Sequence, residues 1–126
     1  MELSQEIRER IVDISLTFLG VKRTDDFTCI TFVREVYKSV GISVPIMARY
    51  MSPPQAYNST YDGFLAWRTG DILFLKRKKY AGDRTWTHVG IMLPEEKFIH
   101  SSHYFDGEVS INTRQEILDF YHYAPS

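Results

Sequence analysis

The chain has 126 residues, 44% of them apolar, with 15 basic and 16 acidic side chains and a net charge of −1, which fits one globular domain over residues 1–126. This composition excludes a disordered or collagen-like chain, and no run approaches the roughly 20 apolar residues needed to span a bilayer. Near-neutral charge gives no general attraction to a polyanion, so nucleic acid is not an expected partner. Residues 1–10 mix Glu and Arg without an apolar stretch. No signal peptide is visible there, so the expected protein is cytoplasmic, exported by a non-classical route, or excised from a longer precursor.

In chain order, Ser4 is placed to cap a helix whose apolar residues Ile7, Ile11, Ile14 and Phe18 recur every three or four positions, with Gly20 as its left-handed stop. A second helix is predicted from Cys29, Val33, Val36 and Val40, with Asp26 or Thr28 as N-cap and Gly41 as terminator. That spacing sets Cys29 in the first turn, on the buried face. Residues 45–68 carry three prolines and aromatics without a clean period, and read as a long connection. Its aromatics Tyr50, Tyr57 and Trp67, together with Trp86, are candidates for lining a substrate groove.

After Gly70-Asp71 the pattern turns strand-like, with strands predicted over 72–75, 86–93, 98–102 and 109–111. Thr113 and Glu116 form a capping box that starts a helix from 114 to about 119, and a last aromatic strand follows over 120–123. Helices first and strands afterwards predict an α+β fold, with N-terminal helices packed on a largely antiparallel sheet of five or six strands.

Cys29 is the sole cysteine, so no internal disulfide forms and the thiol is a candidate nucleophile. A free thiol has a pKa near 8.5 and is only about 3% thiolate at pH 7. A helix N-terminus contributes about 0.3 to 2 kcal/mol towards the anion, so a protonated histidine close to Cys29 is required for the remainder. Alternation along 87–93 puts His88, Gly90 and Met92 on one sheet face and Val89, Ile91 and Leu93 on the other. Gly90 reads as room for a close approach by another backbone, the N-terminus of the Cys29 helix being the expected one.

Register selects the third residue. If residues 94–96 form a three-residue loop, Leu93 pairs with Lys97 and His100 falls diagonal to His88 on the same face, within reach of its ring. A two-residue loop turns His100 away and brings His103 opposite His88. The loop has no Gly or Asn to fix its turn type, so both registers stand.

The segments Cys29-Ile30-Thr31-Phe32-Val33, Gly70-Asp71-Ile72-Leu73-Phe74, His88-Val89-Gly90-Ile91-Met92-Leu93 and Phe98-Ile99-His100-Ser101-Ser102 resemble, in order and spacing, the NlpC/P60 family of papain-like cysteine peptidases. The resemblance covers roughly residues 5 to 123. It implies Cys29 as nucleophile, His88 as base and His100 as the residue that orients it, which favours the three-residue loop; His103 is the alternative third residue. It also implies hydrolysis of amide bonds in bacterial cell-wall (peptidoglycan) peptides through a thioester acyl-enzyme, without metal or cofactor. Around the nucleophile the chain has Thr28-Cys29-Ile30-Thr31-Phe32 where family members usually carry Asp-Cys-Ser-Gly-Phe, so the groups facing the substrate differ.

Four other readings compete. Cys29, His88, His100 and His103 are ligand types suited to zinc, but His100 and His103 on one extended strand point to opposite faces, so no metal is expected. The run Lys76-Arg77-Lys78-Lys79, with Tyr80, Arg84 and Trp86, reads as a solvated loop before it reads as an anion-binding patch. The same cysteine and histidine also suit an acyltransferase or thioesterase acting on lipid or protein acyl groups, and the same fold suits a non-catalytic binding domain. The sequence leaves the oligomeric state open.

Overall fold

A computed structural model describes residues 3–44, 67–77, 88–102 and 104–123. Tyr50, Tyr57, Trp86, His103 and most of the expected 45–68 connection lie outside the described residues.

Helix α1 runs Gln5–Leu16, and the Ser4 hydroxyl accepts the Ile7 N–H at 3.2 Å as the cap requires. Its stripe of Ile7, Ile11 and Ile14 turns into the core, with Ile11 wholly buried. The helix ends four residues before Gly20. That glycine, at φ +86°, instead starts a segment laid along the sheet, where Gly20 N–H meets Val109 O at 2.9 Å and Val109 N–H meets Val21 O at 2.9 Å. A tight turn between Thr24 and Phe27 then leads into α2, Cys29–Lys38. Thr28, not Asp26, is the cap: its hydroxyl accepts from Thr31 N–H while Thr31 Oγ1 accepts from Thr28 N–H. Val40 falls beyond the helix, in the turn closed by Gly41.

The sheet consists of β1 Ile72–Arg77, β2 His88–Leu93, β3 Lys97–Ser102, β4 Glu108–Thr113 and the three-residue β5 Tyr121–Tyr123. All pairs are antiparallel, in the order β4-β3-β2-β1-β5. The predicted α+β architecture is thus observed, with four six-residue strands and one short one among the described residues. Between β4 and β5, α3 occupies Arg114–Phe120. Its capping box is formed by Thr113 Oγ1 accepting from Glu116 N–H at 3.2 Å and Glu116 Oε1 accepting from Thr113 N–H at 2.8 Å.

Alternation divides the core in two. Ile72, Phe74, Val89, Ile91, Leu93, Ile99 and Val109 face α1 and α2, where they meet Phe32, Val33, Val36 and Tyr37. Leu73, Leu75, Met92 and Phe98 face the other way, against Ile117 of α3. The helices are tied to the start of β1 by the Tyr37 hydroxyl donating to Gly70 O and by Arg8 on the buried Asp71 carboxylate at 2.6 Å. Among the described residues no helix is long and apolar enough to cross a membrane.

Residues 94–96 form a single 3-10 turn, and Leu93 pairs with Lys97, Met92 with Phe98 and Ile91 with Ile99. This is the three-residue register. The turn does not explain it by propensity, since Glu95 and Glu96 sit at φ +61° and +55° with no glycine. Burial does: both faces of β2 and β3 are covered, so a one-residue slip would exchange every side chain between the two cores. Left-handed backbone costs a residue with a Cβ about 1 kcal/mol or more. Glu96 recovers part through Arg114 at 2.7 Å, whereas Glu95 has only Lys97 at 3.8 Å. Glu95→Gly is therefore expected to stabilise the protein by about 0.5–1 kcal/mol, read from urea unfolding midpoints. A lower midpoint would contradict this account of the turn.

Candidate active site

With the register set, His88 opens β2 and His100 lies on β3, on the same face and diagonal to it. Their rings meet: His88 Nε2 and His100 Nδ1 are 2.6 Å apart, and both side chains are buried. Beyond them, His100 Nε2 lies 2.8 Å from Asn112 Oδ1 on β4. Asn112 is absent from the sequence prediction because β4 was expected to stop at residue 111. One more residue of strand sets it on the His100 face, opposite Phe98.

The amide fixes the tautomers. Asn112 presents its Oδ1 to His100 Nε2. An amide oxygen only accepts, so His100 Nε2 carries a proton and its Nδ1, in the neutral ring, accepts from His88 Nε2–H. His88 Nδ1 is then the unprotonated nitrogen of a neutral His88. These proton positions follow from the hydrogen-bond network.

Gly90 does not receive the helix N-terminus, as the sequence suggested. A Cβ there would strike the Phe98 ring and come within 2.7 Å of Ile99 O. The glycine lets Phe98 lie across the strand, edge-on to His88 at 6.4 Å and tilted against His100 at 4.9 Å between centroids. The alternation already implies this correction, because Gly90 shares the face of Phe98 and not that of α2.

Cys29 is the first residue of α2 and only 4% exposed. The thiol lies in the core on the helix side of the sheet, together with Val89 at the start of β2. His88, the residue before Val89, belongs to the other face. Arg23, held on Ser101 O at the end of β3, acts electrostatically on the Cys29 thiol and on the His88 ring. Trp67 is elsewhere. Its indole N–H donates to Leu93 O at 2.9 Å, at the opposite end of β2 from His88, and it packs on the second core beneath Arg114. Its aromatic body completes a core.

Burial dominates the electrostatics. It pushes the Cys29 thiol up, with Arg23 and the backbone groups opposing, and it drives His88 well below the ordinary imidazole value, with His100 and Arg23 adding to the shift. His100 is lowered to about 4, again by burial, against the Asn112 hydrogen bond. The resting arrangement is a neutral thiol and neutral imidazoles. That differs from the thiolate beside a charged histidine expected from sequence, because the apolar surroundings penalise both charges.

A pH dependence follows. In the unfolded chain His100 titrates near 6.5 and in the fold near 4, so between those values the unfolded state binds more protons. Stability is full above pH 6.5 and falls as pH drops towards 4. Urea midpoints measured across that window should decline, and His100→Gln should flatten part of the decline. An unchanged slope in that variant would remove His100 from the explanation.

Among the described residues no group of three His, Cys, Asp or Glu side chains is placed to hold a metal ion.

Comparison with known proteins bears on the same region. A solved NlpC/P60 family protein from Bacillus cereus ATCC 10987 superposes with a TM-score of 0.70 at 21% identity, over 92% of this chain and 38% of that one. NlpC1 from Trichomonas vaginalis gives 0.66 at 17% identity, over 98% of this chain and 44% of that one. The chain thus spans about two fifths of the length of these structures. A comparison with curated proteins gives no match. The sequence profile of the NlpC/P60 family matches residues 18–121, a stretch that includes Cys29, both histidines and the whole of the sheet but for its last two residues, and on that match the chain belongs to the NlpC/P60 family.

Proposed function

We propose that this chain is a cysteine hydrolase that cleaves an amide bond in bacterial cell-wall peptides, with Cys29 as nucleophile, His88 as base and His100 as the residue that orients His88. The observation that carries the reading is the 2.6 Å contact between the two imidazoles, continued to Asn112. It leaves His88 Nδ1 as the nitrogen suited to accept a proton. Membership of a family whose members are generally cysteine peptidases or amidases supports the reaction class.

In this mechanism Cys29 Sγ attacks the carbonyl carbon as its proton passes around the end of β2 to His88, the residue before the Val89 that shares the thiol's core. Because the resting groups are neutral, attack and proton transfer proceed together. Collapse of the tetrahedral adduct breaks the C–N bond, and the amine leaves with the proton from His88. Water then adds to the thioester, giving a proton to His88, and the acid departs as the thiol regains it. Thr31 N–H is taken by the Thr28 hydroxyl and Phe32 N–H by Thr28 O, which leaves the first amides of α2, at Cys29 and Ile30, to meet the oxyanion.

The test is incubation with purified cell-wall fragments, with products read by mass spectrometry. Fragments that gain one water at a single amide, and do so only when Cys29 is present, are the expected result. Intact fragments with the wild-type protein would overturn the substrate class. The burial of the thiol is the observation that favours a non-catalytic domain instead, and that reading predicts no turnover of any peptide, ester or thioester.

A further inference from the structure

Arg23 has no part in the reaction as described, yet it is one of the most constrained residues near the site. The chain from Gly20 runs against β4, and Arg23 N–H donates to Gly107 O at 3.0 Å, closing that run. The half-buried guanidinium then crosses to β3, where Nη1 donates to the carbonyl of the buried Ser101 at 2.8 Å. Ser101 directly follows His100. Backbone and side chain are thus both anchored, on the segment that leads into α2 and at the end of the strand that carries His100.

Among the described residues no carboxylate pairs with it. Glu108, the acid nearest along β4, is taken by Lys22 at 2.6 Å, and Asp25 and Asp26 on the following turn are exposed. Among the described residues, the titratable and charged groups that act on Cys29 and His88 are therefore Arg23 from the segment before α2 and His100 from β3. Both rings are neutral, and Asn112 on β4 is uncharged. A partly desolvated cation without a counter-ion is unfavourable, and it is screened less than a surface charge. Its field is well used only where an anion forms.

We propose that Arg23 is the fixed counter-cation of the Cys29 thiolate, so that the nucleophile ionises against a guanidinium and not against a charged histidine. The inference rests on Cys29 being the nucleophile. The physical division of labour is simple: a guanidinium stays charged at all working pH values, stabilises a neighbouring thiolate and opposes an imidazolium. His88 is thereby kept neutral and available as a base, while the cost of charging a buried sulfur is offset from the other side.

The test needs no substrate. Cys29 is the sole cysteine, so the ultraviolet thiolate band, taken as a difference against Cys29→Ala, reports its ionisation alone. His88 is followed in parallel by NMR. In Arg23→Gln the Cys29 midpoint should rise by about one pH unit and the His88 midpoint should rise as well. Arg23→Lys, which keeps the charge, should restore both to within a few tenths. A purely structural role predicts a different pattern: loosening would hydrate the site, lowering the thiol while raising the imidazole. A Cys29 midpoint that stays or falls in folded Arg23→Gln overturns the proposal. If that variant does not fold, Arg23→Met keeps the aliphatic stem and carries the same two readouts. Failure of cell-wall fragments to react would contradict the substrate reading and leave these midpoints standing.

Discussion

Gly90→Ala is expected to lower stability by about 3 kcal/mol and to cost most of the activity at the same time. The added methyl meets the Phe98 ring and, at 2.7 Å, Ile99 O. The carbonyl belongs to the β2–β3 pairing and cannot retreat without opening the sheet. The ring cannot swing away either, because Leu73, Leu75, Met92 and Ile117 surround it. Phe98 packs on both imidazoles, so any displacement passes directly to the His88–His100 bond. The double variant Gly90→Ala, Phe98→Leu relieves the ring clash and not the carbonyl clash, so it should recover part of the stability and little activity. Thermal melting of the purified single variant within a degree of wild type would mean that the close approach does not exist.

His88→Ala should reduce turnover roughly a thousandfold, within the range for loss of a general base, and Cys29→Ala should leave only background. His100→Ala acts through His88 and should cost less, about ten- to a hundredfold, with a larger effect on kcat than on KM. The graded order is the informative part. If His100→Ala were as damaging as His88→Ala while the fold stayed intact, His100 would be touching substrate and not holding a tautomer. If His88→Ala kept wild-type turnover, the base would have to be another group.

Most of the framework was legible in the sequence because it depends on local chemistry. The Ser4 cap and the Thr113–Glu116 box are short-range hydrogen-bond patterns, and the division of β2 into a His88 face and a Val89 face is the two-residue period of a strand. The register was reducible to two choices, and covering of both sheet faces, which sequence alone does not reveal, selects between them. What escaped is non-local. Arg23 owes its position to partners 78 and 84 residues away, Ser101 and Gly107, and nothing in its own neighbourhood announces them. Asn112 was missed through a strand end set two residues short. The charge state was misjudged for a physical reason: helix polarity and a nearby histidine were weighed, but the burial of both thiol and imidazole outweighs them.

The chemistry stands or falls on a covalent bond at Cys29. The direct measurement is rapid quenching of the protein with a hydrolysable cell-wall peptide, followed by intact-mass and peptide-level mass spectrometry. The predicted result is a transient adduct with the mass of the acyl half of the substrate, located on Cys29 and absent from Cys29→Ala. Continued hydrolysis by Cys29→Ala at the wild-type rate, with no adduct at that position in the parent protein, would contradict it.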